Sequence, residues 1–236
     1  ARGGRIRANR IVVATHFPIL NRRGLYFMKL YQKRSFVLAL RNVPALRGTY
    51  AEPTEGGIYL RGYDDLVIVG GGDHRTGRKG GGFEAVEAFV RQRYPQADVV
   101  ARWAAQDCMS LDSVPYIGPY SPATPTLYVA TGFNEWGMTS AMVASQLLAD
   151  ALTGRANSFA SAFTTDRSML RAQLWRNLGA TAADYLTPTA PRCPHLGCAL
   201  KWNAAEHSWD CPCHGSRFAG EDGSILENPA LHGIKR

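Results

Sequence analysis

The strongest constraint on what this 236-residue chain can fold into is a cluster of cysteine and histidine residues near its end. Four of its five cysteines lie beyond residue 190, in two short segments separated by twelve residues. The segments read Cys193-Pro-His195-Leu-Gly-Cys198 and Cys211-Pro-Cys213-His214-Gly-Ser216. Such local clustering is typical of a metal site or a local disulfide, and not of a secreted scaffold held by disulfides throughout.

Two metal chemistries fit this spacing. In the first, the thiolates of Cys193 and Cys211 bind one iron of a [2Fe–2S] cluster, and each loop adds one imidazole. His195 and His214 would then bind the second iron, and neutral imidazole in place of thiolate raises the cluster potential. In the second, the same four side chains hold a structural zinc ion. The cluster is favoured because zinc would not need two further cysteines or the Gly-Ser pair after His214.

Residues 188–236 resemble the Rieske proteins, and among them the disulfide-containing kind found in respiratory and photosynthetic cytochrome complexes. The resemblance implies a small all-β module in which Cys198 and Cys213 form a disulfide between the two ligand loops. It also implies that Ser216 donates a hydrogen bond to a cluster sulfur. High-potential members carry a tyrosine two residues later, where this chain has Phe218, so a lower potential is expected. Because the chain stops at residue 236, the module is expected to be truncated.

A second informative segment covers residues 127–139, where the pattern predicts a buried strand, a turn at Gly132 and a helix that begins near Thr139. Backbone N–H groups at a helix N-terminus favour negative charge, which suits the electron-rich edge of a reduced flavin. Gly132 and Gly137 permit close approach of the backbone, and Trp136 and Met138 offer apolar contact. Taken alone, the segment also fits an ordinary strand, turn and helix with packing glycines.

Three segments, residues 11–16, 115–118 and 127–139, resemble FAD-dependent oxidoreductases of the D-amino-acid oxidase and glycine oxidase superfamily. The resemblance implies an α/β flavin fold, incomplete here, with a mixed antiparallel substrate sheet. Residues 1–20 and 108–155 would lie on the flavin side and residues 21–107 on the substrate side. The implied FAD-binding residues are Ala14, Thr15, Gly132, Phe133, Asn134, Trp136, Gly137, Met138 and Thr139. The family's Gly-x-Gly-x-x-Gly turn, which holds the pyrophosphate, does not occur in the sequence.

Hydrophobic periodicity predicts the remaining elements. Strands are expected at residues 34–40, 57–61 and 66–69, the last of which stops at Gly70. Helices are expected at residues 83–94 and 139–152, with Met142 and Leu147 turned inward and Gly154 as the C-terminal cap. Residues 156–187 should connect the two domains through one helix near residues 168–178, and residues 187–191 should form a stiff linker.

His74 is the one candidate for a catalytic side chain. It lies in a loop at residues 71–77 that is similar to a histidine-containing loop in a Rieske-fused subgroup of the superfamily. The resemblance implies that His74 faces the flavin as a base or as an anchor for substrate. The alternative is a loop histidine exposed to solvent.

Composition excludes several other classes of protein. Residues 1–51 hold eleven Lys or Arg and no Asp or Glu, but these are scattered among apolar residues, which argues against nucleic-acid binding. No stretch approaches the roughly 20 apolar residues of a membrane-spanning helix, and no signal peptide is visible, so a cytoplasmic location is expected.

Together the two resemblances imply an FAD-dependent oxidoreductase joined to a Rieske [2Fe–2S] domain. The amine-oxidising relatives suggest a small-molecule substrate with an amine or amino-acid C–N bond. Electrons would pass between flavin and cluster, and from there to or from an electron-transfer partner. The alternative is an electron-transfer module in which the flavoprotein portion is a scaffold and no substrate is turned over.

Overall fold

The computed structural model describes residues 4–188 and 191–234. These residues form twelve strands and four α-helices, with 3₁₀ turns at Arg23–Leu25 and Ala160–Phe163. The strands are β1 Ile11–Val13, β2 Leu30–Arg41, β3 Thr49–Ala51, β4 Tyr59–Tyr63, β5 Leu66–Arg75, β6 Asp98–Ser110, β7 Tyr116–Pro119, β8 Leu127–Thr131, β9 Lys201–Asn203, β10 Ser208–Asp210, β11 Arg217–Ala219 and β12 Ile225–Glu227. The helices are α1 Tyr26–Lys29, α2 Gly82–Arg93, α3 Gly137–Thr153 and α4 Ala172–Leu186.

The largest sheet has five antiparallel strands in the order β3-β4-β5-β2-β6. Strand β2 lies between β5 and β6, and its second half, residues 36–40, is a run of aromatic and aliphatic residues that suits a buried pleated surface. Phe36, Leu38 and Leu40 follow one another on one face of β2, where they pack with Val86 and Val90 of α2. Burial of this face fixes the register. The opposite face, here called the polar face after Lys33 and Ser35, also carries the buried residues Val37 and Ala39.

A smaller sheet joins two distant parts of the chain. Strand β1 pairs with β8 in parallel, with Val13 beside Val129, and β8 pairs with β7 in antiparallel fashion. At the end of β8 the hydroxyl of Thr131 donates a hydrogen bond to the carbonyl of His16. Because β1 and β8 run in parallel, their carboxyl ends meet at one edge.

The C-terminal module is a separate four-stranded antiparallel sheet, in the order β12-β11-β10-β9. Its core gathers the cysteines with apolar neighbours that include Leu200, Phe218 and Ala230. The described chain thus has a mixed α/β portion with an antiparallel sheet, followed by a small all-β module, which confirms the predicted fold class.

Several element boundaries differ from the sequence predictions. Strand β5 does not stop at Gly70 but continues to Arg75. Glycine is needed at position 70 because a Cβ there would lie 2.1 Å from Cζ of the Tyr59 ring. Strand β6 has no counterpart among the predictions. Its first half carries an apolar run, residues 99–101, but is mostly exposed, and its buried end, residues 108–110, is short. Helix α4 begins at Ala172 and not near residue 168. On α3, Leu147 is buried as expected but Met142 is exposed.

Gly154 ends α3 in the left-handed conformation, φ 75°, as predicted for a C-terminal cap. The expected linker at residues 187–191 lies partly outside the described residues, which omit 189 and 190. Among the described helices, none combines the length and the apolar character needed to cross a membrane.

Candidate metal centre and flavin-side segment

The two cysteine-histidine loops repeat one backbone design. In the first loop the amide of Cys193 donates to the carbonyl of Cys198, and that of Gly197 donates back to the carbonyl of Cys193. In the second, Cys211 donates to Ser216, and Gly215 donates back to Cys211.

Gly197 and Gly215 have φ of 86° and 81°, a conformation that glycine adopts without strain. A Cβ on Gly215 would also lie 2.6 Å from Gln32. The shared Cys-Pro start and the glycine four residues later therefore encode two matched turns.

Two thiols lie together at the base of these loops. Cys193 and Cys211 are 2% and 1% exposed and neither is in a disulfide. The hydrogen bond from Cys211 lowers the pKa of Cys193 to about 7 despite burial, with help from the backbone amides of His195 and Leu196 and from Ser216. The same contact and burial raise the pKa of Cys211. The site therefore stabilises thiolate at Cys193, which is the form that binds a metal.

The two histidines face each other across the other side of the loops. The rings of His195 and His214 lie edge to face with centroids 5.0 Å apart. Burial lowers the pKa of His195 to about 4, assisted by the charge of Arg22. Burial also lowers the pKa of His214 to about 3, with smaller contributions from His195 and Arg75 that the backbone of Phe27 partly offsets. Both imidazoles are thus neutral near pH 7, as metal ligation requires.

The Nδ1 atoms of both histidines are buried and have no hydrogen-bond partner among the described residues. An orphaned buried nitrogen is costly unless something absent from the coordinates satisfies it. Because both orphans belong to predicted ligands, the donor set fits a metal group bound through Nδ1.

The grouping of the ligand atoms favours two metal ions over one. A single tetrahedral zinc would bring all four ligand atoms within about 4 Å of one another. Among the described residues, the only set of three or more potential ligands packed within 4.8 Å is Cys198, Cys211 and Cys213. Two of those sulfurs are bonded to each other, in the predicted Cys198–Cys213 disulfide, whose Cα atoms are 6.6 Å apart. The remaining thiols and imidazoles form two separate pairs, as a two-iron cluster requires.

Two residues beside the thiols bear on the cluster potential. The side chain of Ser216 is fully buried and hydrogen-bonds Cys193, while its oxygen accepts from the amide of Ala230 at 3.0 Å. Phe218 is also fully buried and has no hydroxyl to donate. Ser216 is therefore positioned to donate a hydrogen bond to a sulfur of the site, whereas Phe218 cannot supply a second one.

The second ligand loop is held against the five-stranded sheet by its backbone carbonyls. Arg75 donates to the carbonyls of Pro212 and Cys213 at 3.0 and 2.9 Å. Gln32 donates to the carbonyl of His214, and Gln106 to that of Gly215, both at 2.8 Å. Four consecutive carbonyls thus accept hydrogen bonds from side chains of the sheet.

A charged contact joins the same two parts of the molecule. Arg34 of β2 is 2% exposed, and its guanidinium bonds Glu206 and Glu227 of the C-terminal module. Arg217 of the module shares both carboxylates and also bonds Asp210. A buried arginine that is paired in this way keeps the module and the sheet in one arrangement.

The flavin-side segment begins where β8 ends. Gly132 has φ of 71°, and the side chain of Asn134 is fully used by neighbours: it accepts from the amide of Ser110 at 2.8 Å and donates to the carbonyl of Gly132 at 2.5 Å. Phe133 packs against the small core around Ile117. Asn134 and Phe133 therefore shape the turn from within.

The N-terminus of α3 that follows is open. No side chain caps it, Trp136 and Met138 are 70% and 86% exposed, and Thr139 is exposed as well. A Cβ on Gly137 would meet no atom within 4 Å. An uncapped helix end flanked by exposed apolar side chains fits an electron-rich aromatic ligand such as a flavin.

The end of β1 completes this edge. Ala14 and Thr15 are exposed, and the hydroxyl of Thr15 donates to the carbonyl of Phe17 at 3.1 Å. Asn228 of the C-terminal module donates to the carbonyls of Thr15 and Phe17 at 3.1 and 3.0 Å. The module therefore contacts the backbone at the end of β1, where two of the predicted FAD-binding residues lie.

The polar face of the five-stranded sheet gathers charge near this edge. Lys33 pairs with Asp73 at 3.4 Å and lies opposite Asp107 in the register. Burial raises the pKa of Asp107, and partial desolvation together with the charge of Asp73 raises that of the surface residue Glu135. One lysine thus lies among several carboxylates, which together favour a positively charged ligand.

His74 lies on the other face of the sheet. It pairs with Arg34 in the register, its ring stacks on Phe36 at 5.2 Å, and its Nδ1 contacts the carbonyl of Gly72 at 3.1 Å. It lines a cavity of about 750 Å³ between the sheet and the C-terminal module. None of these contacts joins it to the flavin-side segment, and its catalytic role stays a prediction.

Sequence reasoning missed the side chains that hold the ligand loops. Gln32 and Arg34 are polar residues at inward positions of a buried strand, which is a signal that another polar surface docks there. Asn21 was also missed. Its Oδ1 lies 2.7 Å from Nε2 of His195, and no motif around residue 21 predicts such a contact.

The sequence matches two family models. Residues 1–151 match the FAD dependent oxidoreductase family, and residues 171–236 match the Rieske [2Fe–2S] domain. The chain therefore belongs to the FAD-dependent oxidoreductases of the D-amino-acid oxidase type, and it carries a C-terminal Rieske domain.

Individual relatives cover the two portions differently. A putative Rieske 2Fe–2S iron-sulfur protein, YhfW of Bacillus subtilis, is 30% identical over 98% of this chain and 55% of its own length. The cytochrome b6-f complex iron-sulfur subunit 3 of Nostoc sp. is 53% identical over 38 residues, 16% of this chain and 21% of that subunit. The crystal structure of glycine oxidase from Geobacillus kaustophilus shares the fold with a TM-score of 0.57 at 21% identity, over 68% of this chain and 46% of that one.

The chain thus spans about half the length of the YhfW protein and of glycine oxidase. The two families imply FAD and a Rieske-type [2Fe–2S] cluster as cofactors. The thiol pair and the orphaned imidazole nitrogens fit the cluster, and the open end of α3 fits the flavin ring.

Proposed function

We propose that the full-length protein oxidises an amine or amino-acid C–N bond at FAD and exchanges the resulting electrons with its own Rieske cluster. The observation that carries this proposal is the docking of the ligand loop on the substrate sheet through Arg75, Gln32 and Gln106. A cluster module held against the sheet of a flavoprotein fold would keep a constant position relative to the flavin.

When bound, FAD accepts a hydride from the substrate carbon and the [2Fe–2S] cluster carries single electrons. The residues of this chain orient and hold those groups. The open end of α3 would face the flavin ring, Cys193 and Cys211 would bind one iron, and His195 and His214 would bind the other. Ser216 would hold a proton toward the sulfur of Cys193.

The charge on the polar face of the sheet supports an amine as substrate. Desolvation raises the pKa values of Asp107 and Glu135, and an ammonium group beside them would stabilise both carboxylates in their charged form. A substrate carboxylate could pair with Lys33 in the same region. The fold shared with glycine oxidase supports the same substrate class. An external electron-transfer partner and a cytoplasmic location belong to this proposal.

Anaerobic rapid mixing of the full-length protein with a panel of amines and amino acids tests it. One substrate class should bleach the flavin absorbance and then produce the EPR signal of the reduced cluster. In the Cys211→Ser variant the flavin should still bleach, but no cluster signal should follow.

The opposite outcome would be an intact flavin that no amine or amino acid bleaches, although a chemical reductant reduces both centres. That result would favour the electron-transfer module with a non-catalytic flavoprotein scaffold.

A further inference from the structure

Asn21 connects the flavoprotein portion directly to a predicted cluster ligand. Its Oδ1 lies 2.7 Å from Nε2 of His195, although 174 residues separate the two in sequence. Asn21 is 4% exposed and His195 is 8% exposed. A polar contact that is buried on both sides is maintained by the fold, since an unpaired amide there would be costly.

The hydrogen-bond logic of this contact leaves one arrangement. The Nδ1 of His195 is buried without a partner among the described residues, so it is the ring nitrogen left free to bind iron. If Nδ1 gives its lone pair to iron, the proton of the neutral ring must be on Nε2. That N–H then donates to the Oδ1 of Asn21, and the amide orientation is fixed by the ligation.

The neighbours of Asn21 hold it in place. Its carbonyl accepts from the amide of Tyr26 at 2.8 Å, and Tyr26 is itself fully buried. The adjacent Arg22 donates to the carbonyl of His195 at 3.2 Å, and the ring of Phe27 lies edge-on to His214 at 6.2 Å. Residues 21–27, here called the histidine cap, therefore contact both histidines.

We propose that Asn21 is a positioning residue of the cluster, which acts through His195 and lowers the reduction potential. The proposal rests on the proposed function in that the cluster exchanges electrons with the flavin. It adds that the flavoprotein portion itself supplies a hydrogen bond to a ligand of the cluster. The docking of the C-terminal module on that portion therefore affects the reduction potential of the cluster.

The sign follows from ligand basicity. A histidine that donates its second N–H to an acceptor becomes a stronger electron donor to its metal. Greater donation stabilises the ferric state, and the potential falls. Removal of the acceptor should therefore make the cluster easier to reduce, and replacement by a carboxylate should make it harder to reduce.

Two substitutions test this in the full-length, cluster-loaded protein by EPR-monitored redox titration without substrate. Asn21→Leu should raise the ratio of reduced to oxidised cluster at a fixed potential about tenfold, equal to about 59 mV for one electron. Asn21→Asp should shift the ratio in the opposite direction. Asn228→Leu is the matched control, because it removes a contact between the same two portions without touching a histidine. It should leave the potential unchanged.

If Asn21 had a purely structural role, Asn21→Leu and Asn21→Asp would not shift the reduction potential in opposite directions. Equal potentials in all variants, or shifts of the same sign in both, would therefore overturn the proposal. If Asn21→Leu loses the cluster, Asn21→Asp decides alone, and a potential at or above the wild-type value would contradict us. Zinc in place of iron would also overturn it. Because no substrate is present, failure here is distinct from failure of any amine to reduce the flavin.

Discussion

The two ligand loops and the flavin-side segment are built in opposite ways. Every predicted ligand, the disulfide and the hydrogen bonds that shape the loops come from residues 193–216. The flavin-side edge is assembled from β1, β8 and α3, which are far apart in sequence, and its helix end is exposed. A metal motif with short spacing therefore encodes its own geometry, whereas a flavin edge depends on the pairing of distant strands.

The two regions are nevertheless joined through the sheet. Gln32 and Arg34 on β2 reach the C-terminal module, while Lys33 between them lies on the face with Asp107 and Glu135. Alternation along a single strand thus presents one face to the cluster module and the other to the proposed substrate region.

The largest expected effect is the loss of the cluster when one ligand of the loops is removed, and it tests whether residues 193–216 hold the metal by themselves. Cys193→Ser removes a predicted iron ligand, so iron and the low-g EPR signal of mixed Cys and His ligation should be lost almost completely. Cys108→Ala is the control, because Cys108 is the one other free cysteine and lies buried away from the loops. Its iron content should remain at two irons per chain by metal analysis. Stoichiometric zinc in the wild-type protein would refute the cluster.

A second substitution tests the exposed flavin edge. Gly137→Val should expel most of the FAD from the full-length protein, because the added branch would occupy the space in front of α3, and the cluster EPR signal should persist. Gly179→Val in α4 is matched, since a Cβ there also meets nothing within 4 Å. It should keep its flavin. A Gly137→Val protein with full flavin occupancy, measured by absorbance, would remove residues 132–139 from the flavin site.

These two experiments separate what the sequence could predict from what it could not. The ligand loops were predictable because Cys, His and Gly at fixed spacing leave few alternatives. Strand β6 and the hydrogen bonds from Gln32 and Gln106 to the ligand loop were not predictable. Their partners lie in another part of the chain, and only the tertiary contact gives these residues a role. The glycines of β5 misled the prediction, since a glycine that ends a strand and one that admits Tyr59 look alike in sequence.

A third prediction concerns the contact between the regions. Arg34→Met leaves Glu206 and Glu227 with Arg217 as their only positively charged partner among the described residues, so the free energy of unfolding of the C-terminal module should fall by about 3 kcal/mol. Arg41 lies on the same strand as Arg34 and forms an exposed pair with Asp65. Arg41→Met breaks that pair and should lower the free energy of unfolding by less than about 1 kcal/mol. Urea titrations that follow cluster absorbance measure both. Equal stabilities for the two variants would mean that the buried pair does not hold the module.

The smallest effect concerns the cluster potential. Ser216→Ala removes a hydrogen bond near Cys193 and should lower the potential, whereas Phe218→Tyr adds a hydroxyl at a buried position and should raise it. Shifts on the order of 59 mV, a tenfold change in the reduced-to-oxidised ratio, are expected for each. Redox titration with EPR detection measures them. Shifts of the same sign would show that hydrogen bonding does not set the potential here.

The most direct test of the account is whether the two centres exchange electrons within one chain. The flavin of the full-length protein can be reduced by light under anaerobic conditions, and the growth of the cluster EPR signal followed by rapid freezing. If the cluster module is docked as described, the observed first-order rate constant for cluster reduction should be the same at all protein concentrations. A rate constant that falls in proportion as the protein is diluted would show that electrons pass between molecules, and it would contradict the account.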